Sequence, residues 1–131
     1  MIFNLVAYLK AQLGSYIFIA NGWRADSPEE SIAVNDDGGT PDHYDFKVDL
    51  TVQILARSRD SVTSRKYVED TYNILLNRFG LTLPEVIINA VTYPAVNTAQ
   101  ISPIQRPAFI GMDDEGRALY SFNILITIGG N

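Results

Sequence analysis

The sequence predicts an α+β fold, a mixed α/β sandwich in which a mostly antiparallel sheet has one face covered by an N-terminal helix and a long central helix. Two observations carry this expectation. Phe46–Arg57 and Arg117–Ile128 each alternate apolar and polar side chains over twelve positions, the period of a strand with one buried face. Before and between them lie stretches whose apolar residues recur at helical spacing. The chain has 131 residues, 47% of them hydrophobic, and no cysteine. That suits a single domain, 1–131, able to bury a core without disulfides or cysteine-based zinc sites.

The first element is read from MIFNLVAYLKAQLG, where Phe3, Val6, Leu9 and Leu13 repeat at helical spacing with Leu5 alongside. Gly14 is the expected stop. The stretch lacks a basic leader and a long apolar run, so it does not read as a signal peptide. No segment approaches the roughly 18 to 20 apolar residues of a membrane span, and the chain is expected to be soluble with no membrane partner. Tyr16–Ala20 reads as a short strand, Asn21-Gly22 as a turn, and Ser31–Asn35 as another short strand. Asp36–Asp45, DDGGTPDHYD, reads as a flexible acidic loop from its glycines, proline and aspartates.

The long strand Phe46–Arg57 follows, with Phe46, Val48, Leu50, Val52, Ile54 and Ala56 on one face. Asp60 or Ser61 is the expected N-cap of the central helix. The helical stripe Val68, Tyr72, Leu75, Phe79 carries it to Gly80. Arg65 with Glu69 and Lys66 with Asp70 are i,i+4 pairs on its outer face. Leu83–Tyr93 contains a β-like run. Ala95–Pro107 reads as irregular because of its prolines, and Phe109–Met112 as a short strand. Arg117–Ile128 mirrors Phe46–Arg57 and is expected to pair with it. Residues 129–131 read as a loose tail.

Charge narrows the function classes. Ten Lys and Arg against fifteen Asp and Glu give a net charge of −5, which argues against a nucleic-acid reader with a basic face. Charged residues make up 19% of the chain, below the usual quarter or so, which suggests surface buried between subunits. Between Asp26 and Asp45 lie seven acids and no Lys or Arg.

Few motifs suggest chemistry. His43, the single histidine, sits in DHYD and would need a nucleophile to act as a general base; none is visible. DDGGTPDHYD lacks the alternating acids and distant glutamate of a calcium loop. No G-x-S-x-G elbow, phosphate-binding glycine loop or dinucleotide fingerprint occurs. Arg57 and Arg59, where a strand hands over to a helix, suit a surface or subunit contact. The acids of Asp113-Asp114-Glu115-Gly116 invite a metal reading, yet a hairpin explains each of them. Asp113 suits the first turn position and Gly116 the left-handed one. No catalytic residue, cofactor or metal is expected.

The order of features resembles the bacteriophage tail terminator proteins of long-tailed phages, often labelled minor capsid proteins. VDLTVQILARSRD leading into a long helix carries the resemblance, with Val52-Gln53-Ile54 and Arg57. So does PAFIGMDDEGRALYSFNILITI, with Gly111, Asp113, Gly116-Arg117, Ser121 and Asn123. The acidic stretch before the long strand departs from the pattern. The resemblance implies a non-enzymatic, hexameric ring that caps the tail tube, stops its polymerisation and offers a surface for the head. Its implied partners are further copies of itself, the tail-tube protein and a head-completion or connector protein. DNA would pass through without sequence-specific binding. The implied location is the head–tail junction of the virion, after assembly in the host cytoplasm. The residues expected at subunit or partner contacts are Trp23, Asp36, Asp37, Asp42, Tyr44, Arg57, Arg59, Asp114, Glu115 and Arg117, with Phe109 as a further apolar candidate. Alternative readings are a tail-tube or head-completion connector protein, or a small hydrolase or binding domain using His43.

Overall fold

The computed structural model describes residues 1–41 and 47–129. Along the chain come α1 (Ile2–Gln12), β1 (Phe18–Ala20), β2 (Ser31–Pro41), β3 (Lys47–Ser58) and α2 (Ser61–Leu75). There follow β4 (Arg78–Phe79), β5 (Thr82–Leu83), β6 (Val86–Ile88), β7 (Val91–Tyr93), β8 (Val96–Pro103), β9 (Ala108–Met112) and β10 (Ala118–Gly129).

The two alternating stretches form the centre. β3 and β10 pair antiparallel over their whole length, from Ala118 opposite Ser58 to Gly129 opposite Lys47. This register places Val52 beside Ile124 and Ile54 beside Phe122 on one face. All four are fully buried. Side chains of alternate residues must point to opposite faces, so a slip of one position would expose the whole set. β2 flanks β3 antiparallel, and β1 pairs with β2 parallel. On the other side, β8 and β9 share the length of β10, and β4 and β5 pair with β8. β6 and β7 form a separate two-stranded hairpin.

Both helices contribute to the core on the face of Val52 and Ile124. Leu5 and Leu9 of α1 and Val68 and Leu75 of α2 join the sheet residues in one buried cluster. Asp60 is the N-cap of α2 and its Oδ1 accepts the Val62 amide at 3.0 Å. Buried Ser64 of α2 donates to the Ala118 carbonyl at 2.9 Å, fixing the helix to the start of β10.

The structure corrects the expected fold class. Among the described residues the chain is mostly β, ten strands against two helices, arranged as a large mixed sheet and not as an α+β sandwich with a long central helix. Three local causes account for the difference. First, α2 stops after 15 residues. Leu76 is already extended and Asn77 takes a left-handed φ of 50°. Phe79 fits the helical stripe by spacing, but it pairs with Gln100 and is 72% exposed. Second, the stretch read as irregular, Ala95–Pro107, holds the eight-residue β8. Pro103 lies at its end, where the ladder loses nothing from a missing amide. Third, the parallel β1–β2 pair makes the sheet mixed.

The expected loop Asp36–Asp45 is corrected in part. Asp36–Pro41 continues β2 through a bulge, in which Asp36 faces Val52 and Gly39 faces Leu50. Gly39 is required there, since a Cβ would fall 1.9 Å from the Asp49 carbonyl oxygen. The remainder of that loop lies outside the described residues. The Leu83–Tyr93 run is not one strand: Asn89 and Ala90, with φ of 53° and 64°, fold it back into the β6–β7 hairpin.

Candidate functional site

The strand ends bring several sequence candidates together. Ser31 starts β2 opposite Arg57, and Leu119 faces Arg57 from β10. The segment between β1 and β2 and the β9–β10 hairpin therefore meet at one end of the sheet. Here lie Trp23, Arg57, Arg59, Glu115 and Arg117, joined by Glu29 and Asp113.

Arg57 is the buried member, only 6% exposed. Its guanidinium carbon stands 4.4 Å from the centroid of the Trp23 ring. Its Nη2 donates to the carbonyls of Ser27 at 3.2 Å and Pro28 at 2.9 Å. Burial pushes the Arg57 pKa down, and the nearby charge of Arg117 adds to this. Arginine nevertheless keeps its charge in proteins. The ring face and two carbonyl oxygens are the compensation for removing it from water.

Arg59 points outward and ties three segments. It grips the Glu29 carboxylate with Nε at 3.0 Å and Nη2 at 2.8 Å, and its Nη1 donates to the Glu115 carbonyl at 2.8 Å. The Arg59 hydrogen bonds hold the Glu29 carboxyl below the usual range. Both side chains are half exposed, so the pair acts more through its forked geometry than through its charge.

The hairpin tip closes on itself. The Asp113 amide donates to the Arg117 carbonyl at 2.9 Å, and the Gly116 amide to the Asp113 carbonyl at 3.1 Å. Gly116 has φ of 77°, the left-handed position expected for it. Asp113 Oδ1 accepts the amides of Glu115 and Arg117 at 3.0 and 2.9 Å, and Oδ2 accepts Arg117 Nε at 2.7 Å. The Arg117 amide, with the guanidinium and the Glu115 amide, keeps the Asp113 carboxyl low. The acids thus shape a turn. Among the described residues, no group of three or more His, Asp or Glu is placed to hold a metal ion.

The other candidates lie elsewhere. Asp36 and Asp37 are exposed on the β2 bulge; Asp36 faces Val52, about 16 Å along β3 from Arg57. Asp42, Tyr44 and His43 fall outside the described residues. Asp114 is exposed beside the hairpin brace. Phe109 is 52% exposed and packs edge-on against Tyr120, with ring centroids 5.4 Å apart.

Several features escaped the sequence reading. Glu29, which holds Arg59, was not singled out, and Asp113, read only as a turn residue, also holds the Arg117 guanidinium. Ile110 and Met112 extend the exposed apolar surface of β9 beyond Phe109, at 54% and 56% exposure. Asn4 is buried in α1, and its amide donates to the carbonyls of Pro84, Tyr93 and Pro94 at 2.9 to 3.1 Å. It thereby pins the base of the β6–β7 hairpin, which presents Ile87 and Val91 to solvent. An asparagine on an apolar helix stripe was the available signal. A groove of about 640 Å³ between α2 and β9 is floored by Tyr72, Leu76, Phe109 and Tyr120. A second groove, of about 470 Å³, lies among α1, β1 and β6.

Fold and site define a β-rich chain with a braced charged end and an uncovered apolar strand edge. The family model for the bacteriophage tail terminator protein matches residues 22–129, and the chain belongs to that family. Among curated proteins no match is found. The family is a structural one, and membership makes the protein a virion component that works with other phage tail or head proteins. No helix among the described residues is long and apolar enough to cross a membrane.

Proposed function

We propose that the chain is the terminator of a phage tail: a ring of identical subunits, six in the leading reading, that caps the tail tube, halts its growth and presents the surface to which the head joins. The observation that carries this reading is the family match across residues 22–129, which takes in every strand from β2 to β10 and leaves out only β1 of the large sheet. A closed ring needs two different patches on each subunit, and the exposed apolar residues of β9 supply material for one. The ring acts without catalysis. Its partners are its own copies, the tail-tube protein and a head-completion protein, at the head–tail junction of a virion assembled in the host cytoplasm. DNA passes through it without being read, consistent with a net charge of −5.

The test is tube growth. Purified tail-tube protein is polymerised with and without this chain, and tube lengths are measured by negative-stain electron microscopy. The expected result is short tubes, each closed by a single ring. Unrestricted growth would contradict the proposal. Long tubes built from this chain alone would identify it as a tube protein instead.

A further inference from the structure

Among the described residues the strand path of the large sheet ends at β1 and at the two-residue β4, and β5 and β9 hang off it with one partner each. β1 pairs only with β2, and β9 pairs only with β10. An uncovered strand edge is a template for pairing with another chain, and soluble proteins ordinarily blunt it with charge or proline. β9 does neither within its five residues, AFIGM. Phe109, Ile110 and Met112 are each more than half exposed on it. The acidic tip follows directly, with Asp114 and Glu115 exposed.

The surface beside β1 is chemically complementary. The groove of about 470 Å³ beside β1 is lined by Phe3, Val6 and Phe18 on one side and by Val86 and Ile88 of the β6–β7 hairpin. Two cations stand in its lining, Lys10 from the last turn of α1 and Arg24 from the segment after β1. Neither is within ion-pair distance of an acid among the described residues. Most other basic side chains on the sheet ends are engaged: Arg59 with Glu29, and Arg117 with Asp113.

We infer that the β9–β10 hairpin of one subunit docks in the α1/β1 groove of the next copy of this chain, apolar edge against apolar groove and acidic tip against Lys10 and Arg24. The inference rests on the ring reading above and names its contact. The two patches are different surfaces of one chain, so the contact is heterologous and repeats around a ring. Backbone pairing of the two open edges gives affinity, and the charges set orientation and partner choice. Self-pairing of β9 with β9 would instead give a two-fold dimer and leave the basic groove empty.

The experiment is a charge swap read by sedimentation of the purified protein and by ring occupancy at tail-tube ends. Asp114→Lys alone and the Lys10→Glu/Arg24→Glu pair alone should each weaken assembly at least tenfold. Circular dichroism and thermal melts of these surface variants should stay unchanged. Combining all three substitutions in one chain restores complementarity at every contact and should return assembly to within about threefold of the native protein. That rescue cannot come from a variant that merely failed to fold. Native-like assembly by either reversed variant, or no rescue in a folded triple variant, overturns the docking while leaving the ring intact. A dimer insensitive to Lys10→Glu/Arg24→Glu also overturns it, in favour of β9 self-pairing. Absence of any ring from the native chain, in solution and on tubes, overturns the ring reading and the docking together.

Discussion

The β3–β10 pair and the β9 edge are built from similar residues and meet opposite fates. Phe122, Ile124 and Ile126 of β10 are fully buried, while Phe109, Ile110 and Met112 of β9 are more than half exposed. Both strands belong to the same sheet and hydrogen-bond to each other. The difference is cover. α1, α2 and the flanking strands close over the first set, whereas nothing within the described residues closes over the second. Apolar side chains held out on a rigid, well-paired strand add little to the stability of the free subunit. Their energy becomes available on contact with another surface. The comparison separates the residues that hold the subunit together from those left to hold subunits to something else.

Substitutions that break the comparison are the most telling. Phe122→Ala should destabilise the chain by about 3 to 5 kcal/mol in urea unfolding, because it empties a closed core. Phe109→Ala should cost under about 1 kcal/mol, since it forfeits only a half-exposed edge contact with Tyr120. Similar losses at both positions would show that β9 is part of the core.

A smaller effect sharpens the role of the braced end. Arg57→Ala should cost about 2 to 3 kcal/mol, since it removes the cation from the Trp23 face and strands the Ser27 and Pro28 carbonyls. It should also shift Trp23 fluorescence. Unchanged fluorescence and stability would mean that the segment between β1 and β2 is held by other contacts.

The smallest effect is the acid response of the hairpin tip. Asp113 has a folded-state pKa below its unfolded value of about 3.9. Its contribution is therefore complete above that value and lost as the pH falls through the lower, folded one. The Arg117 amide resonance should move in that acid range. In Asp113→Asn the movement should vanish. A resonance that instead titrates near pH 6 would contradict the hydrogen-bonded carboxylate.

Much of this was legible in the sequence where one residue pattern had one physical solution. Strict alternation over Phe46–Arg57 and Arg117–Ile128 admits only a half-buried strand, and the two strands pair as expected. Asp60 capping, the Asn21-Gly22 turn and the Asp113–Gly116 hairpin follow from local chemistry. The expected fold class failed where the pattern admitted two solutions. Phe79 continues the helical stripe as readily as it starts a strand edge, and only pairing with β8 decides. β8 itself was hidden because its prolines flank the ladder instead of interrupting it, and because a register shift near Ile128 disturbs its alternation. The parallel β1–β2 pair depends on a crossover that no local pattern records. At the site, Trp23, Arg57, Arg59, Glu115 and Arg117 were all named from sequence, but their meeting was not. Glu29 reaches Arg59 across 30 positions of chain, a distance that only the strand register closes.

The central claim is that the β9 edge is kept open for assembly while β3–β10 holds the subunit. Hydrogen–deuterium exchange compares the free chain with the chain seated on tail tubes, peptide by peptide. The account predicts slower exchange across Ala108–Glu115 on assembly, with β3 and the central part of β10 equally protected in both states. Unchanged exchange at β9 in tube-bound protein would contradict it.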